Sequence, residues 1–433
     1  MANPMFDALF APLAQRTDVL LTLADGAGIS GQAFLALVAQ QAHALTSVGV
    51  RAGDRVAVQV AKSPAALATY GACVALGAVY LPLNTAYTAS ETGYFLGDAT
   101  PAVFVCDPGM AARDDVRVLT MDAQGAGSLA DLAARMPGVI APVARGADDL
   151  AALLYTSGTT GRSKGAMLSQ RNLLSNAEVL VRAWAFTDAD VLLHALPIFH
   201  THGLFVATNV ALLARARMIF LPGFDAAQVM RLLPEASVLM GVPTFYTRLL
   251  GQPGLATAAA GRRLFISGSA PLLAETHVAW QAATGHCILE RYGMTETNMN
   301  TSNPYQGARR AGTVGQPLPG VECRIMGVDA LVPEGAVGVI EVRGDNVFQG
   351  YWNMPEKTAE ALRPDGWFIT GDLGWMVDGY LEIVGRAKDL VITGGYNVYP
   401  KEVEMALDAL PGVVESAVIG VPHADFGDRK SVV

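Results

Sequence analysis

The loop between Leu154 and Gly165 has the clearest chemical character in the chain. It reads Leu-Tyr-Thr-Ser-Gly-Thr-Thr-Gly-Arg-Ser-Lys-Gly and holds three glycines, six hydroxyl side chains and one lysine. Glycines let backbone amides turn toward an anion, hydroxyl groups add hydrogen-bond donors, and Lys164 supplies positive charge. We therefore expect this loop to bind the phosphates of a nucleotide triphosphate.

The residues around this loop distinguish it from a Walker P-loop. That pattern has Gly, four residues and then Gly-Lys-Ser/Thr, whereas Lys164 lies between a serine and a glycine. The apolar runs 151–155 and 165–168 predict two strands, and Ser169 is the expected N-cap of a helix that begins only after the second one. We expect hydroxyls and amides, rather than a helix dipole, to hold phosphate. The alternative is a mobile Gly/Ser/Thr linker.

Three further motifs follow in the chain. They are Tyr292-Gly293-Met294-Thr295-Glu296, Thr370-Gly371-Asp372-Leu373 and Gly385-Arg386-Ala387-Lys388-Asp389. Together with the loop, they resemble the motifs of the acyl-adenylating superfamily, which includes acyl-CoA synthetases, firefly luciferase and the adenylation domains of peptide synthetases. The resemblance extends over essentially the whole chain, and four motifs in order are far more specific than one.

A narrower resemblance is to the malonyl-CoA synthetases of that superfamily. It rests on three segments: 80–87 (YLPLNTAY), 194–204 (HALPIFHTHGL) and 290–302 (ERYGMTETNMNTS). Serine also precedes the loop lysine here, where most of the superfamily has proline. The resemblance implies an acid–thiol ligase that activates malonate with ATP and transfers it to CoA, releasing AMP and diphosphate. Methylmalonate or another short acid is an alternative substrate.

The resemblance also implies roles for residues of the nucleotide site. The phosphate-binding residues would be Thr156, Ser157, Gly158, Thr159, Thr160, Gly161 and Lys164. Thr295 would contact the α-phosphate and Glu296 would bind Mg²⁺, a hard ion that prefers carboxylate oxygen. Tyr292 would stack on adenine, while Asp372 and Arg386 would hold the ribose. Other expected nucleotide or CoA contacts are Gly268, Ser269, Glu290, Arg291, Gly293, Gly394 and Gly395.

Simpler structural roles were weighed for several of these residues. Tyr292 could be an ordinary core aromatic, Asp372 a turn cap, and the charges at 386–389 a solvated run. The resemblance instead makes Lys388 the hinge about which a C-terminal lid rotates. It also implies that 390–433 is an incomplete lid lacking the family's adenylating lysine, so that slow adenylation by this chain, or mere adenylate binding, is expected.

The acid site must be sought among histidines and arginines. His200 and His202 have no third ligand at useful spacing, which disfavours zinc, and we expect His200 to contact the substrate and take part in catalysis. A satisfied structural histidine is the alternative. A buried, unpaired second carboxylate of malonate would cost several kcal/mol, so a fixed arginine is expected beside it. Arg248 is the first candidate and Arg291 the second.

Composition limits the possible partners. A net charge of -9, without a basic cluster, argues against nucleic acid. The N-terminal residues show no basic segment followed by an apolar core, and the apolar run 67–83 is broken by glycines and predicts a helix and a strand rather than a membrane span. The four cysteines are dispersed without metal or redox spacing, which favours a cytoplasmic location.

The distribution of apolar segments predicts an α/β fold. Between about 30 and 290, helical periods alternate with short apolar strands, as expected for two parallel sheets layered with helices. Strands separated by Gly, Pro and Asp-Gly turns dominate from about 311 to 385 and predict a small β-barrel subdomain. The expected organisation is a large domain over 1–385, a hinge at 386–389 and a small α+β lid over 390–433.

A dehydrogenase is the competing function from another class. The segment Gly26 to Gly31 fits the dinucleotide-binding pattern G-x-G-x-x-G and follows an apolar run. The confirming acid should end the next strand, but Asp54 begins it. Since Asp25-Gly26 is a turn signal, we expect a hairpin before the helix.

Overall fold

The computed structural model describes residues 2–110, 115–156, 162–328, 330–393, 396–398, 400–408, 410, 413, 416–423 and 427–432. Residues 157–161 of the predicted phosphate loop lie outside the described residues, as do Gly394 and Gly395. The roles expected for those seven residues stay predictions.

The strands are numbered in chain order. They are β1 (Val19–Thr22), β2 (Gly28–Ser30), β3 (Arg55–Gln59), β4 (Val79–Pro82), β5 (Val103–Cys106), β6 (Val118–Thr120), β7 (Leu150–Thr156), β8 (Lys164–Ser169), β9 (Val191–His194), β10 (Arg217–Phe220), β11 (Val238–Gly241), β12 (Leu264–Ser267), β13 (Leu289–Met294), β14 (Asn298–Ser302), β15 (Gln316–Pro317), β16 (Val321–Met326), β17 (Gly338–Gly344), β18 (Phe368–Val377), β19 (Tyr380–Arg386), β20 (Val391–Thr393), β21 (Tyr396–Val398), β22 (Val418–His423) and β23 (Gly427–Val432).

The α-helices are numbered in the same way. They are α1 (Gly31–Ser47), α2 (Pro64–Leu76), α3 (Ala89–Ala99), α4 (Ser128–Ala133), α5 (Gln170–Ala183), α6 (Asn209–Leu213), α7 (Ala226–Leu232), α8 (Pro243–Leu250), α9 (Leu255–Ala259), α10 (Ala274–Thr284), α11 (Pro355–Ala361) and α12 (Pro400–Asp408). Short 3₁₀ segments cover Ala11–Gln15, Leu233–Glu235 and Ala387–Asp389, and π-helical turns cover Phe6–Phe10 and His202–Thr208.

Two mixed sheets form most of the molecule. One has the order β15-β14-β13-β12-β11-β9-β10-β1-β2, and the other β6-β5-β3-β4-β7-β8. The interior of each is parallel, as the sequence predicts, and its strands are short apolar runs buried along almost their whole length. The edge strands β2, β8 and β15, and β14 next to β15, pair antiparallel. Hairpins join β1 to β2, β7 to β8 and β13 to β14, and such short links cannot make a parallel crossover.

Several local predictions are confirmed. The phosphate loop connects two antiparallel strands, β7 and β8, and Ser169 caps α5 by accepting a hydrogen bond from the Asn172 amide. The dinucleotide-like glycine pattern forms the β1–β2 hairpin, and Ser30 caps α1.

The long apolar run folds as α2 followed by β4. All of α2 from Ala66 to Leu76 is buried, so it has no solvent-facing side. It ends at Gly77, whose φ of 67° lets its amide bond back to the carbonyl of Cys73. Among the described residues, no helix is both long and apolar enough to cross a lipid bilayer.

The remaining strands form two antiparallel sheets. The segment expected to be barrel-like forms a sheet in the order β16-β17-β18-β19, and the amide of Leu381 in β19 donates to Gly315 O at 2.8 Å, next to β15. The C-terminal sheet has the order β21-β20-β23-β22 and is accompanied by α12. The α/β class with smaller antiparallel parts is therefore confirmed.

Candidate active site

The carboxyl ends of β9, β11, β12 and β13 lie along one edge of the nine-stranded sheet. The strands are mutually parallel there and end at His194, Gly241, Ser267 and Met294. Ligands of open α/β sheets bind outside the carboxyl ends of the strands. The segments that follow β9, β12 and β13 contain five of the residues predicted to act on the acid or the nucleotide, namely His200, Gly268, Ser269, Thr295 and Glu296.

Glu296 lies in the turn between β13 and β14 and is only 5% exposed. The hydroxyl of Tyr351 donates to Glu296 Oε1 at 2.9 Å, and Lys164 Nζ lies 4.1 Å from the centre of the Tyr351 ring. Burial raises the pKa of Glu296, while the Tyr351 hydrogen bond and the charges of Lys164 and Arg386 act against that rise. Two residues predicted from separate motifs thus meet around a tyrosine.

Gly293 makes the β13–β14 turn possible. A Cβ placed on it would lie 1.7 Å from the carbonyl oxygen of Asn298, and no side chain could be accommodated at that distance. Asn298 itself has a positive φ of 52°, a conformation that asparagine tolerates better than most residues. The turn carries Thr295, which is half-buried, beside Glu296.

The predicted ribose residues form a second polar group. The hydroxyl of Tyr292 donates to Asp372 Oδ2 at 2.5 Å, and Arg386 Nε lies 3.0 Å from Asp372 Oδ1. The Asp372 amide also donates to Thr370 Oγ1 at 3.0 Å. Burial raises the pKa of Asp372, and the Tyr292 hydrogen bond and the Arg386 charge oppose that shift. Tyr292, expected to stack on adenine, has its hydroxyl anchored to the ribose carboxylate.

The ends of the phosphate loop lie opposite each other. Thr156 and Lys164 pair across β7 and β8, and Thr156 Oγ1 lies 3.4 Å from Lys164 O. The loop therefore starts and ends at one place, with the lysine facing Tyr351 and Glu296. The carboxylate predicted for Mg²⁺ and the cation predicted for phosphate are thus neighbours.

Arg291 is the least compensated charge in the region. Its side chain is buried with 3% exposure, and among the described residues Nε and Nη2 have no hydrogen-bond partner. A Cβ on Gly268 would lie 2.3 Å from Arg291 Nη1, so the guanidinium packs directly on that glycine backbone. Burial lowers the pKa of Arg291 to about 9. A bound anion would therefore pair with a guanidinium whose charge is uncompensated in the free protein.

His202 lies close to this guanidinium. Its Nδ1 is 3.1 Å from Ser269 Oγ, and its buried Nε2 has no partner among the described residues. Burial and the positive charge of Arg291 both lower the pKa of His202 well below its usual value, so the ring is neutral near pH 7. Ser269 adopts a positive φ of 73°, which costs energy for a residue other than glycine. Together, the unpaired nitrogens of Arg291 and His202 can donate hydrogen bonds to an oxyanion.

The other predicted acid-site residues are more exposed. Arg248 lies on the exposed face of α8, and His200 is exposed and packs edge-on against Phe199 with ring centres 4.6 Å apart. An exposed arginine does not provide the fixed, desolvated partner that the sequence argument required. The burial of Arg291 favours the second candidate over the first.

Glu290 makes a contact that the motif did not indicate. Its Oε1 lies 3.2 Å from Nδ1 of His277 in α10, and both side chains are buried. Burial raises the pKa of Glu290, with His277 opposing the shift. A role for this carboxylate with the nucleotide stays a prediction.

Tyr351, which contacts two predicted site residues, and Lys62, which is buried against His194, were not predicted from the sequence. Tyr351 bridges Lys164 and Glu296 although it lies 55 residues from Glu296, so no local spacing could reveal it. Lys62 bonds to His194 from 132 residues away, and the only sequence signal was a lone lysine within an apolar region. Within the described parts of the chain, no group of three or more His, Cys, Asp or Glu could hold a metal ion.

Comparisons with known proteins agree with this arrangement. A malonate–CoA ligase of Arabidopsis thaliana is 41% identical over 309 residues, covering 66% of this chain and 50% of that enzyme. The ATP-bound crystal structure of MatB from Rhodopseudomonas palustris is 56% identical with a TM-score of 0.97, covering 100% of this chain and 88% of that one. A malonyl-CoA ligase with methylmalonyl-CoA and AMP bound is 36% identical with a TM-score of 0.77, covering 100% and 91%.

The chain spans about half the length of the first curated relatives it matches. The family model described as AMP-binding enzyme covers residues 12–352, which include β13 and the phosphate loop. The chain therefore belongs to the AMP-binding enzyme family.

Proposed function

We propose that this chain activates malonate with ATP as an acyl-adenylate and transfers the malonyl group to CoA. The printed names of its relatives support the substrate class: the plant enzyme is a malonate–CoA ligase, and the solved neighbours contain ATP, or methylmalonyl-CoA and AMP. The observation that carries the proposal is Arg291, a buried guanidinium with unpaired donors at the sheet edge.

The second carboxylate of malonate is the natural partner for that guanidinium. The single carboxylate of a monocarboxylic acid is needed at the reacting end, so Arg291 would remain without a charged partner. A dicarboxylate has a second ionised group that can pair with Arg291. The neutral His202 can donate a further hydrogen bond from Nε2 to the same oxygens, while its Nδ1 accepts from the hydroxyl of Ser269. We place the distal carboxylate at Arg291, rather than at the exposed Arg248.

Strand β13 would separate the acid from the nucleotide. Arg291 and Tyr292 are successive residues, so their side chains leave opposite faces of the strand. Tyr292 faces Asp372, our proposed ribose ligand, while Arg291 faces Gly268 and the acid site. Thr295 and Glu296 follow in the turn after β13, with Glu296 bonded to Tyr351. Such an arrangement holds the reacting carboxylate close to the α-phosphate.

The proposed reaction has two displacement steps. One carboxylate oxygen of malonate attacks the α-phosphorus of ATP, and the bond from that phosphorus to the diphosphate oxygen breaks. The deprotonated sulfur of CoA then attacks the acyl carbon, and AMP leaves with the electrons of the acyl–oxygen bond. Lys164 and Thr295 would stabilise phosphate charge, which is the main requirement of phosphoryl chemistry.

Glu296 is the residue that would hold Mg²⁺. Its buried carboxylate accepts a hydrogen bond from Tyr351 and lies near Lys164. Hard cations prefer such oxygen ligands. When bound, the ion would supply positive charge to the phosphates and relieve the burial cost of this carboxylate. Lys388, in the exposed 3₁₀ turn Ala387–Asp389, is our proposed hinge residue between the large and C-terminal parts. The cytoplasmic location stays a prediction.

The test is AMP formation from ATP and Mg²⁺ with malonate, methylmalonate, acetate or butyrate, each with and without CoA. We expect AMP only with the two dicarboxylates, and more of it when CoA is present. Equal turnover of acetate and malonate would contradict the role of Arg291. Binding of ATP without AMP formation from any acid would instead identify an adenylate-binding chain.

A further inference from the structure

Lys62 is a buried amine with no acidic partner. It lies between β3 and α2, is 9% exposed, and its Nζ is 4.3 Å from the centre of the Phe220 ring. Its hydrogen-bond contacts are His194 Nδ1 at 2.9 Å, His194 O at 2.8 Å and Leu196 O at 2.8 Å. None of the ion pairs formed by the described residues includes Lys62. Burying a charged group without an ion-pair partner costs free energy unless hydrogen bonds compensate it, so a lysine in this place calls for an explanation.

The network fixes the proton positions. His194 Nε2 lies 2.9 Å from the carbonyl oxygen of Gly203, which can only accept, so Nε2 carries the proton. In the neutral ring, Nδ1 is then an acceptor. All three contacts of Lys62 are therefore acceptors, and only an ammonium group has three donors to satisfy them. Burial lowers the pKa of Lys62, and this set of acceptors stabilises its charged form.

This network holds both ends of the segment 195–203. Leu196 O, at its start, accepts from Lys62, and Gly203 O, at its end, accepts from His194. The segment is folded back tightly, because a Cβ on Gly203 would lie 1.8 Å from Pro197 O. Thr208 reinforces the same point by donating to Gly203 O at 2.9 Å. His200 lies inside this segment and His202 lies near its end.

We propose that Lys62 is a positioning residue for the acid site. It acts through His194 and the segment 195–203, and sets the place of His202 relative to Ser269 and Arg291. Lys62 itself has no free donor and does not contact the substrate. The inference rests on the proposed function for its substrate readout, whereas its structural part can be tested without any acid.

The test compares Lys62→Met, which removes a contact at the C-terminal end of β9, with a matched control at the residue that precedes this strand. Lys62→Met removes the donor to His194 Nδ1 and Leu196 O, whereas His194 O keeps the hydrogen bond from the Leu221 amide at 3.1 Å. Asp190→Asn, at the opposite end of β9, weakens the buried Asp190–Arg263 ion pair, whose N–O distance is 2.6 Å. Both changes remove one buried charge next to β9, so both are expected to lower the unfolding temperature.

A positioning role predicts different kinetics for the two variants. Lys62→Met should raise KM for malonate by about 10- to 100-fold, because small displacements far from the reacting atoms have effects of that size. Its KM for ATP should change less than about threefold, and Asp190→Asn should leave both constants near the native values. Equal malonate constants in the two variants, or parallel changes for ATP and malonate, would overturn the proposal.

Hydrogen exchange supplies a readout that does not need turnover. Peptides covering 195–204 should exchange faster in Lys62→Met than in Asp190→Asn when both are compared with ATP and no acid. If the native chain fails to use malonate, the proposed function fails, but this comparison still decides the role of Lys62. Should Lys62→Met not fold, Thr208→Val disturbs the same network at Gly203 and should give the same pattern with smaller changes. Unchanged exchange in that variant would reject the inference.

Discussion

Replacing Arg291 with methionine should stabilise the free protein and impair its use of dicarboxylates. The guanidinium is buried with two unpaired nitrogens, and burial lowers its pKa to about 9. Replacing uncompensated buried charge with an apolar side chain of similar volume is commonly neutral or stabilising by about 1–4 kcal/mol. We expect the free energy of unfolding to rise by about 1–3 kcal/mol in the absence of ligands.

The same change should impair malonate activation. Removing one partner of a buried, hydrogen-bonded charge pair costs about 2–4 kcal/mol at an interface. At 1.4 kcal/mol per tenfold, kcat/KM for malonate should fall by about 30- to 700-fold. The dissociation constant of ATP should stay within about threefold, because Tyr292 and Asp372, our proposed adenine and ribose ligands, lie on the other face of β13.

The assay combines thermal unfolding with initial rates of AMP formation. Arg248→Met is the matched control, since it removes the same group from an exposed position on α8 and should change neither quantity appreciably. Malonate should raise the unfolding temperature of the native protein and of the control, but not that of Arg291→Met. A variant that is less stable than the native protein and yet retains malonate turnover would show that Arg291 is a structural core residue.

Three further predictions concern the nucleotide side and the antiparallel sheet. Tyr292→Phe removes the hydroxyl bonded to Asp372 and should raise KM for ATP by about 3- to 30-fold, with malonate KM unchanged in steady-state assays. Glu341→Gln leaves Arg324 and Arg363 without their shared buried carboxylate and should cost about 1–3 kcal/mol in urea unfolding, whereas Glu360→Gln, in an exposed pair, should cost under about 0.5 kcal/mol. Because burial raises the pKa of Glu296, its contribution favours folding at low pH and is lost as pH rises through that pKa. Glu296→Gln should therefore gain stability relative to the native protein as the pH rises above the usual pKa of a glutamate, and a pH-independent difference would contradict this.

The local elements of the site followed from the sequence because their determinants are local. Ser169 caps α5 through a residue three positions away, and the turn signal at Asp25-Gly26 forms a hairpin. The parallel interior of the sheets followed from short apolar strands separated by helices. The β1–β2 hairpin was expected from its turn signal, but the antiparallel pairing of β8, β14 and β15 was missed, since an apolar strand reads the same in either direction and only the length of its connection decides the pairing.

The choice between two arginines could not be made from the sequence. Arg248 follows a buried strand and appeared well placed, but it lies on the outer face of α8. Arg291 is buried because the register of β13 against β12 brings it onto Gly268, a contact between residues far apart in the chain. The same limitation applies to Tyr351 and Lys62, whose partners are 55 and 132 residues away. Whether a buried charge has a partner can be seen only in the folded chain, and here it is the unpaired charge of Arg291 that indicates the proposed function.

The unpaired charges of the site explain why both substrates should stabilise the protein. On the proposed acid side, Arg291 is a buried cation with two nitrogens unpaired among the described residues, and on the proposed nucleotide side Glu296 is a buried carboxylate with a raised pKa. A free protein that retains such groups is less stable than its packing would allow. A dicarboxylate would compensate the first side and a divalent cation with ATP the second. Strand β13 carries residues of both sides. Each bound ligand would therefore lower the electrostatic cost of burying charge next to this one strand. The ordered strand would then hold the reacting groups close to each other.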